Sequence, residues 1–156
     1  VVGSGLAAAP ARVGGAGAAR GVPALIRLGW TSVLLGASFL GAGYLASALS
    51  RRPSGAAGMA IGIWLVAVVL YDLALLGLIV SQGGEALGRA LPALLLANPA
   101  DAFRLYNLGA SEATAAAAGL GGAAATIPLW QALASLVLWP LVTLGLATAA
   151  FRRVTP

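Results

Sequence analysis

Residues 56–80 form a twenty-five-residue apolar run whose only ionisable side chains are Tyr71 and Asp72. As a helix, a run of that length crosses the ~30 Å hydrocarbon layer of a bilayer, which leaves few other fates open to the chain. A carboxylate inside such a span is costly when ionised, so Asp72 must be protonated, paired or open to a water-filled interior.

Composition points the same way. The 156 residues are 60% hydrophobic and 8% charged, with a mean hydropathy of +0.97. An ordinary soluble domain carries about 25% charged residues. Three spans and their connections use the whole length, so no separate soluble catalytic domain fits. The net charge of +5 comes from nine Arg, with no Lys, against four acids. Those Arg are scattered or paired at span ends and form no basic stripe, which excludes nucleic-acid binding and fits anchoring to the lipid bilayer. With no Cys, no His and a single Met, the chain lacks the ligands of a transition-metal site, and no metal or cofactor is expected. Without Lys there is no Walker A loop, so any ATP hydrolysis belongs to another chain. Val1 replaces an initiator Met and no charged region precedes it, which predicts a chain that begins inside a longer protein. Residues 1–9 read either as the end of a preceding span or as an apolar tail, and the Gly-rich 11–22 as a connection unfit for a stable helix.

Three complete spans are predicted. The first, 24–50, carries Arg27 and Trp30 near its start as snorkelling and interfacial anchors. Gly29, Gly36, Gly43 and Ser50 recur every seven residues in it, and Ser38, Ala42, Ala46 and Ser50 every four. Small-residue stripes let helices approach closely where lipid supplies no hydrophobic drive for association. After the breaker-rich turn Ser50-Arg51-Arg52-Pro53-Ser54-Gly55, the second span, 56–80, opens with Gly58-x-x-x-Gly62, a second candidate packing face. The third, 127–151, runs from Pro128 and Trp130 to Arg152-Arg153, and Pro140 near its middle is a candidate hinge.

Between the second and third spans, 81–126 reads as an external segment with short helices. Residues 86–97 are apolar, broken by Pro92 and too short to cross, which predicts an interfacial or re-entrant helix. Asn98-Pro99-Ala100-Asp101 is a helix start: Asn caps, Pro fits the first turn and Asp meets the positive end of the dipole. Arg104 follows Asp101 at ion-pair spacing, Phe103 and Tyr106 share a face, and Gly109 ends the helix. A further short helix is predicted from Ser111-Glu112. Three crossings put Arg51-Arg52 and Arg152-Arg153 on one side, and the compact pairs place that side in the cytoplasm.

Asp72 lies about eight residues, roughly 12 Å, from the outer end of its span. Its candidate partners are Arg27, Arg89 and the Tyr71 hydroxyl. Tyr71 and Asp72 are candidates for transport or gating, with a pinned interhelical bond as the plainer reading. Tyr-Asp within a span also matches half of an intramembrane aspartyl protease signature, but that chemistry needs a second intramembrane Asp and none exists. The serines have no His or Lys as base, so the chain is not expected to be an enzyme.

Residues 70–77, Leu-Tyr-Asp-Leu-Ala-Leu-Leu-Gly, and 95–108, Leu-Leu-Ala-Asn-Pro-Ala-Asp-Ala-Phe-Arg-Leu-Tyr-Asn-Leu, carry a resemblance to a known family. With 45–52, Leu-Ala-Ser-Ala-Leu-Ser-Arg-Arg, and the Arg pair that closes the last span, the chain from about Trp30 to Arg153 resembles the NosY family. These are ABC-2-type membrane permeases of NosDFY transporters, which serve nitrous oxide reductase maturation. The resemblance implies an all-α membrane protein forming the C-terminal half of a six-helix permease in the bacterial cytoplasmic membrane. It further implies a homodimer, a cytoplasmic ATP-binding subunit (NosF-like) and a periplasmic β-helix subunit (NosD-like). Asn98, Asp101, Phe103, Arg104 and Tyr106 would then face the periplasmic partner. The N-terminal cytoplasmic helix and loop that touch the ATPase in that family have no counterpart here. Two other readings stay open: a permease of the same fold exporting a lipid or drug, and a membrane scaffold that transports nothing.

Overall fold

The computed structural model of the chain describes residues 13–50, 52–81, 85–109 and 126–154, and all elements among them are helical. Three helices are long and apolar enough to cross a membrane, over Gly21–Leu49, Pro53–Leu78 and Leu129–Arg153. The end of a preceding span expected at residues 1–9, Arg12 and the Ser111-Glu112 helix lie outside the described residues.

The first helix, α1, runs Val13–Leu49 without interruption. The expectation of a connection over 11–22 is corrected for its described part. Each glycine in that stretch lowers intrinsic helicity by about 1 kcal/mol, but a helix already nucleated by a long apolar span extends through such residues one bond at a time. Ser50 then turns the chain: its Oγ donates to the Arg52 carbonyl, and Pro53 opens the next helix in the first-turn position where a missing N–H costs nothing.

The second span is one continuous helix built in three parts: α2 (Pro53–Leu65), a π-helical turn (Val66–Leu70) and α3 (Tyr71–Ser81). None of its side chains described in 53–80 is buried within the chain. The next two helices, α4 (Glu85–Leu96) and α5 (Pro99–Leu108), meet at Ala97-Asn98 and form an elbow. Asn98 is in extended conformation and its Oδ1 accepts from the Ala100 N–H, so the start read from Asn98-Pro99 is the start observed. The last helix, α6 (Leu129–Val154), passes through Pro140, which is buried, and Thr143 Oγ1 donates to the Trp139 and Pro140 carbonyls one turn back.

The tightest helix pair is α1 against α6. Gly41 requires its bare Cα there: a Cβ would stand 2.9 Å from the Leu144 backbone nitrogen and closer still to Thr143 Oγ1. Ser38 and Ala46 on the same face are buried. The stripe recurring every four residues is therefore the contact face. Gly29, Gly36 and Gly43, and likewise Gly58 and Gly62, have nothing within 4 Å of where a Cβ would be. Among the described residues none of these glycines makes a close helix contact; Gly36 and Gly62 instead line clefts between the helices. Under the start of α6, Leu95, Leu105, Ile127 and Ala132 form the small apolar core, with Leu75, Leu91, Leu96 and Tyr106 packed against it.

Candidate functional site

Polar side chains from each of the three spans reach the α4–α5 elbow. A helix ends with carbonyls that have no intrahelical donor, and at membrane depth water is scarce to satisfy them. At the end of α4 two hydroxyls from neighbouring spans reach the last carbonyls: Tyr71 Oη donates at 2.7 Å to that of Leu94, which also accepts from the Ala97 N–H, and Ser135 Oγ donates to that of Leu96. At the end of α5, Arg27 donates to the Asn107 carbonyl at 3.0 Å, a cation placed where the negative pole of the helix favours it. Asn107 Nδ2 donates to Thr31 Oγ1 at 3.0 Å, and Thr31 is completely buried. Tyr106 packs edge-on to Trp30, ring centres 5.7 Å apart, beneath the Arg27 guanidinium. Arg27 and Trp30, read from sequence as interfacial anchors, thus grip α5.

Arg104 holds the centre. One of its terminal nitrogens donates to Asp72 Oδ2 on α3 and, at 3.0 Å, to Asp101 Oδ1 on α5. The i, i+3 pair expected on α5 is present, and the same guanidinium is also the partner of Asp72. Of the partners expected for Asp72, Arg27 is engaged at the far end of α5, Tyr71 points to α4, and the Arg89 side chain lies outside the described residues. Sequence reasoning misses Arg104 because a residue already assigned to Asp101 looks satisfied. The available signal is one cation set between two acids of an apolar segment, where each carboxylate needs a partner.

The charges respond to this arrangement. Asp101 is only 2% exposed, and its carboxyl is pushed up to about 6, first by burial and then by the negative charge of Asp72, against the lowering effect of Arg104 and Asn98. Arg104 is held above its ordinary value: burial opposes its charge, and the bonds and charges of Asp72 and Asp101 outweigh it. With both acids ionised the cluster carries one net negative charge.

Asn98 completes the site. Its Nδ2 donates to Asp101 Oδ2 at 3.0 Å and to the carbonyl of Ala67, in the π-helical turn of the second span, at 2.7 Å. The structure thus joins Tyr71, Asp72, Asn98, Asp101 and Arg104 around one elbow. Asn98 and Asp101, expected on a partner-facing surface, are buried and spend their polar atoms inside the chain; Phe103, Arg104 and Tyr106 are half-buried. Pro140 stands apart from this network, one turn from Thr143 at the α1–α6 contact. Tyr71 and Asn98 also reach the wall of an apolar cleft of about 550 Å³ that includes Ser38, Met59, Ile63 and Trp139. Phe103 and Arg104 line a second, of about 440 Å³, with Ser32 and Trp64.

Residues 2–155 match the family described as ABC-2 family transporter protein. A probable ABC transporter permease protein NosY from Pseudomonas aeruginosa is 44% identical over 128 residues, covering 79% of this chain and 45% of that protein. A probable ABC transporter permease protein NosY from Stutzerimonas stutzeri is 42% identical over 125 residues, with the same shares. The chain therefore spans about half the length of the curated relatives it matches.

Proposed function

The chain belongs to the ABC-2 transporter family, and we propose that it forms part of the membrane-spanning permease of an ABC transporter of the NosY kind. The observation that carries the reading is the elbow: α4–α5 is bonded by side chains to α1, to the second span and to α6. A permease converts the work of an ATPase on one side of the membrane into rearrangement on the other, and an element tied to every span is suited to transmit that movement. Tyr71 and Asp72 act here as coupling groups that hold the elbow, with Pro140 as the hinge of α6.

In this reading the permease is a homodimer in the bacterial cytoplasmic membrane, with the Arg pairs inside and the elbow entering the membrane from the outer side. It pairs with a NosF-like ATP-binding subunit and a NosD-like periplasmic β-helix subunit, and supports copper-site assembly of nitrous oxide reductase. The test uses the full-length permease. Co-expressed with its cognate ATPase and periplasmic subunit, it should stimulate ATP hydrolysis and restore the copper centres of the reductase. Asp72→Ala should uncouple the two while the complex still assembles. A permease that neither binds nor stimulates the ATPase sinks the reading in favour of a scaffold.

The apolar cleft of about 550 Å³ favours a second reading, export of a lipid or drug, since clefts of that size and character take apolar ligands. Transport of such a ligand with reductase maturation intact in a deletion strain would select it.

A further inference from the structure

The second span carries an irregularity that the elbow explains. At Tyr71 the backbone N–H bonds to the Val66 carbonyl, five residues back, whereas α3 from there onward is α-helical. When five-back bonding gives way to four-back bonding, one carbonyl is skipped. If Tyr71 reaches Val66 and Asp72 reaches Val68, the skipped carbonyl is that of Ala67, and this is the carbonyl to which Asn98 Nδ2 donates at 2.7 Å. An unpaired carbonyl in a span is costly, so the π register persists only where something occupies it.

We propose that Asn98 is a register lock: by filling the one carbonyl that the π turn leaves over, it makes the seating of the elbow and the rotational setting of Tyr71 and Asp72 a single equilibrium. In an all-α register with α2 held in place, every residue after the turn advances one position, about 100° and 1.5 Å. Tyr71 then stands where Asp72 stands now, and Asp72 takes the place of Leu73, which is 58% exposed. Neither the Tyr71–Leu94 bond nor the Asp72–Arg104 pair survives that change. Both contacts presuppose the π register, and Asn98 is the elbow residue that bonds to the turn itself. Its Oδ1 meanwhile caps α5 through the Ala100 N–H, so the lock engages only when α5 is formed and seated. Asn98 is a positioning residue in this scheme. The inference stands whether or not the chain transports anything, and its readouts measure no transport.

The test is a double-mutant cycle on the full-length permease in lipid nanodiscs, read by amide hydrogen exchange. Asn98→Ser keeps an N-cap oxygen and loses the amide donor. Deleting Val69 removes the extra residue of the π turn and restores α bonding with α3 left in its present setting. In the otherwise unchanged protein, Asn98→Ser should speed exchange across residues 66–72 about tenfold, the loss of about one hydrogen bond, with a smaller rise across 99–108. In the Val69-deletion background the same substitution should change exchange at 66–72 by less than about twofold, since no carbonyl is left over. Equal effects in the two backgrounds overturn the proposal. If the deletion variant does not fold, the first arm decides alone: no rise at 66–72, or an equal rise through α5, overturns it.

Discussion

Two helix faces of the same composition meet opposite fates in this chain. On α1, Ser38, Gly41 and Ala46 lie against α6 so closely that a methyl group at position 41 would collide with the Leu144 backbone. On α2, Gly58 and Gly62 keep the spacing of a close-packing face, yet no described atom lies within 4 Å of where a Cβ would be. Small residues permit a close approach but do not attract one, because lipid solvates an Ala/Gly surface nearly as well as a neighbouring helix does. What fixes partners here is polar. The α1–α6 side is stitched to the elbow through Thr31, Asn107 and Ser135, whereas the second span is held to it through Tyr71, Asp72 and the Ala67 carbonyl.

That contrast is sharpest at Arg104. Arg104→Ala leaves two carboxylates facing each other and should destabilise the described fold by about 2 kcal/mol, below the cost of breaking a fully buried pair because Arg104 and Asp72 keep about a third of their side-chain exposure. Thermal unfolding in detergent measures it. If the loss is smaller than that of Thr31→Val, the second span is not held by its charges. Gly41→Ala should cost about 1–2 kcal/mol by forcing α1 and α6 apart. Gly58→Ala should be neutral or stabilising by up to ~1 kcal/mol in this region of the protein, since alanine is the better helix former. Equal losses at both glycines would show that α2 has a close neighbour in the full-length permease. Thr31→Val removes the hydroxyl bonded to Asn107 and should cost about 1 kcal/mol.

A pH dependence is expected as well. The Asp101 carboxyl, pushed up to about 6 in the folded chain from an ordinary 3.8, binds its proton more readily folded than unfolded. Between those values the folded state holds more protons, so stability should rise as pH falls from about 7 towards 4. Asp101→Asn should flatten that rise, and a slope of opposite sign would mean that the carboxylate form is the one the elbow favours.

Much of this is legible in the sequence where chemistry is local. The spans follow from length and apolarity, and the start of α5 from a side chain that can cap next to a proline that can only begin a helix. The Gly-rich 13–22 reads as a break because propensity counts glycines one at a time, while the long helix behind them supplies the nucleus. Asp72 is recognisable as a group needing a partner, but its partner lies thirty-two residues away on a helix whose fold back into the spans no periodicity encodes. The π turn at Val66–Leu70 has no residue signature in its own segment, and the side chain that bonds to it, Asn98, comes from outside that segment.

The Asp72–Arg104–Asp101 cluster also has an electrical consequence. With both acids ionised it carries one net negative charge, that of Asp72 on the second span, because Asp101 and Arg104 on α5 cancel. Moving one charge across the whole membrane at 100 mV does about 2.3 kcal/mol of work. A shift of the whole cluster, Asp72 included, through a tenth of that field would do only ~0.2 kcal/mol, less than thermal energy. The resting voltage of the cell therefore neither drives nor blocks such a movement, and protonation of Asp101 makes the cluster electrically silent.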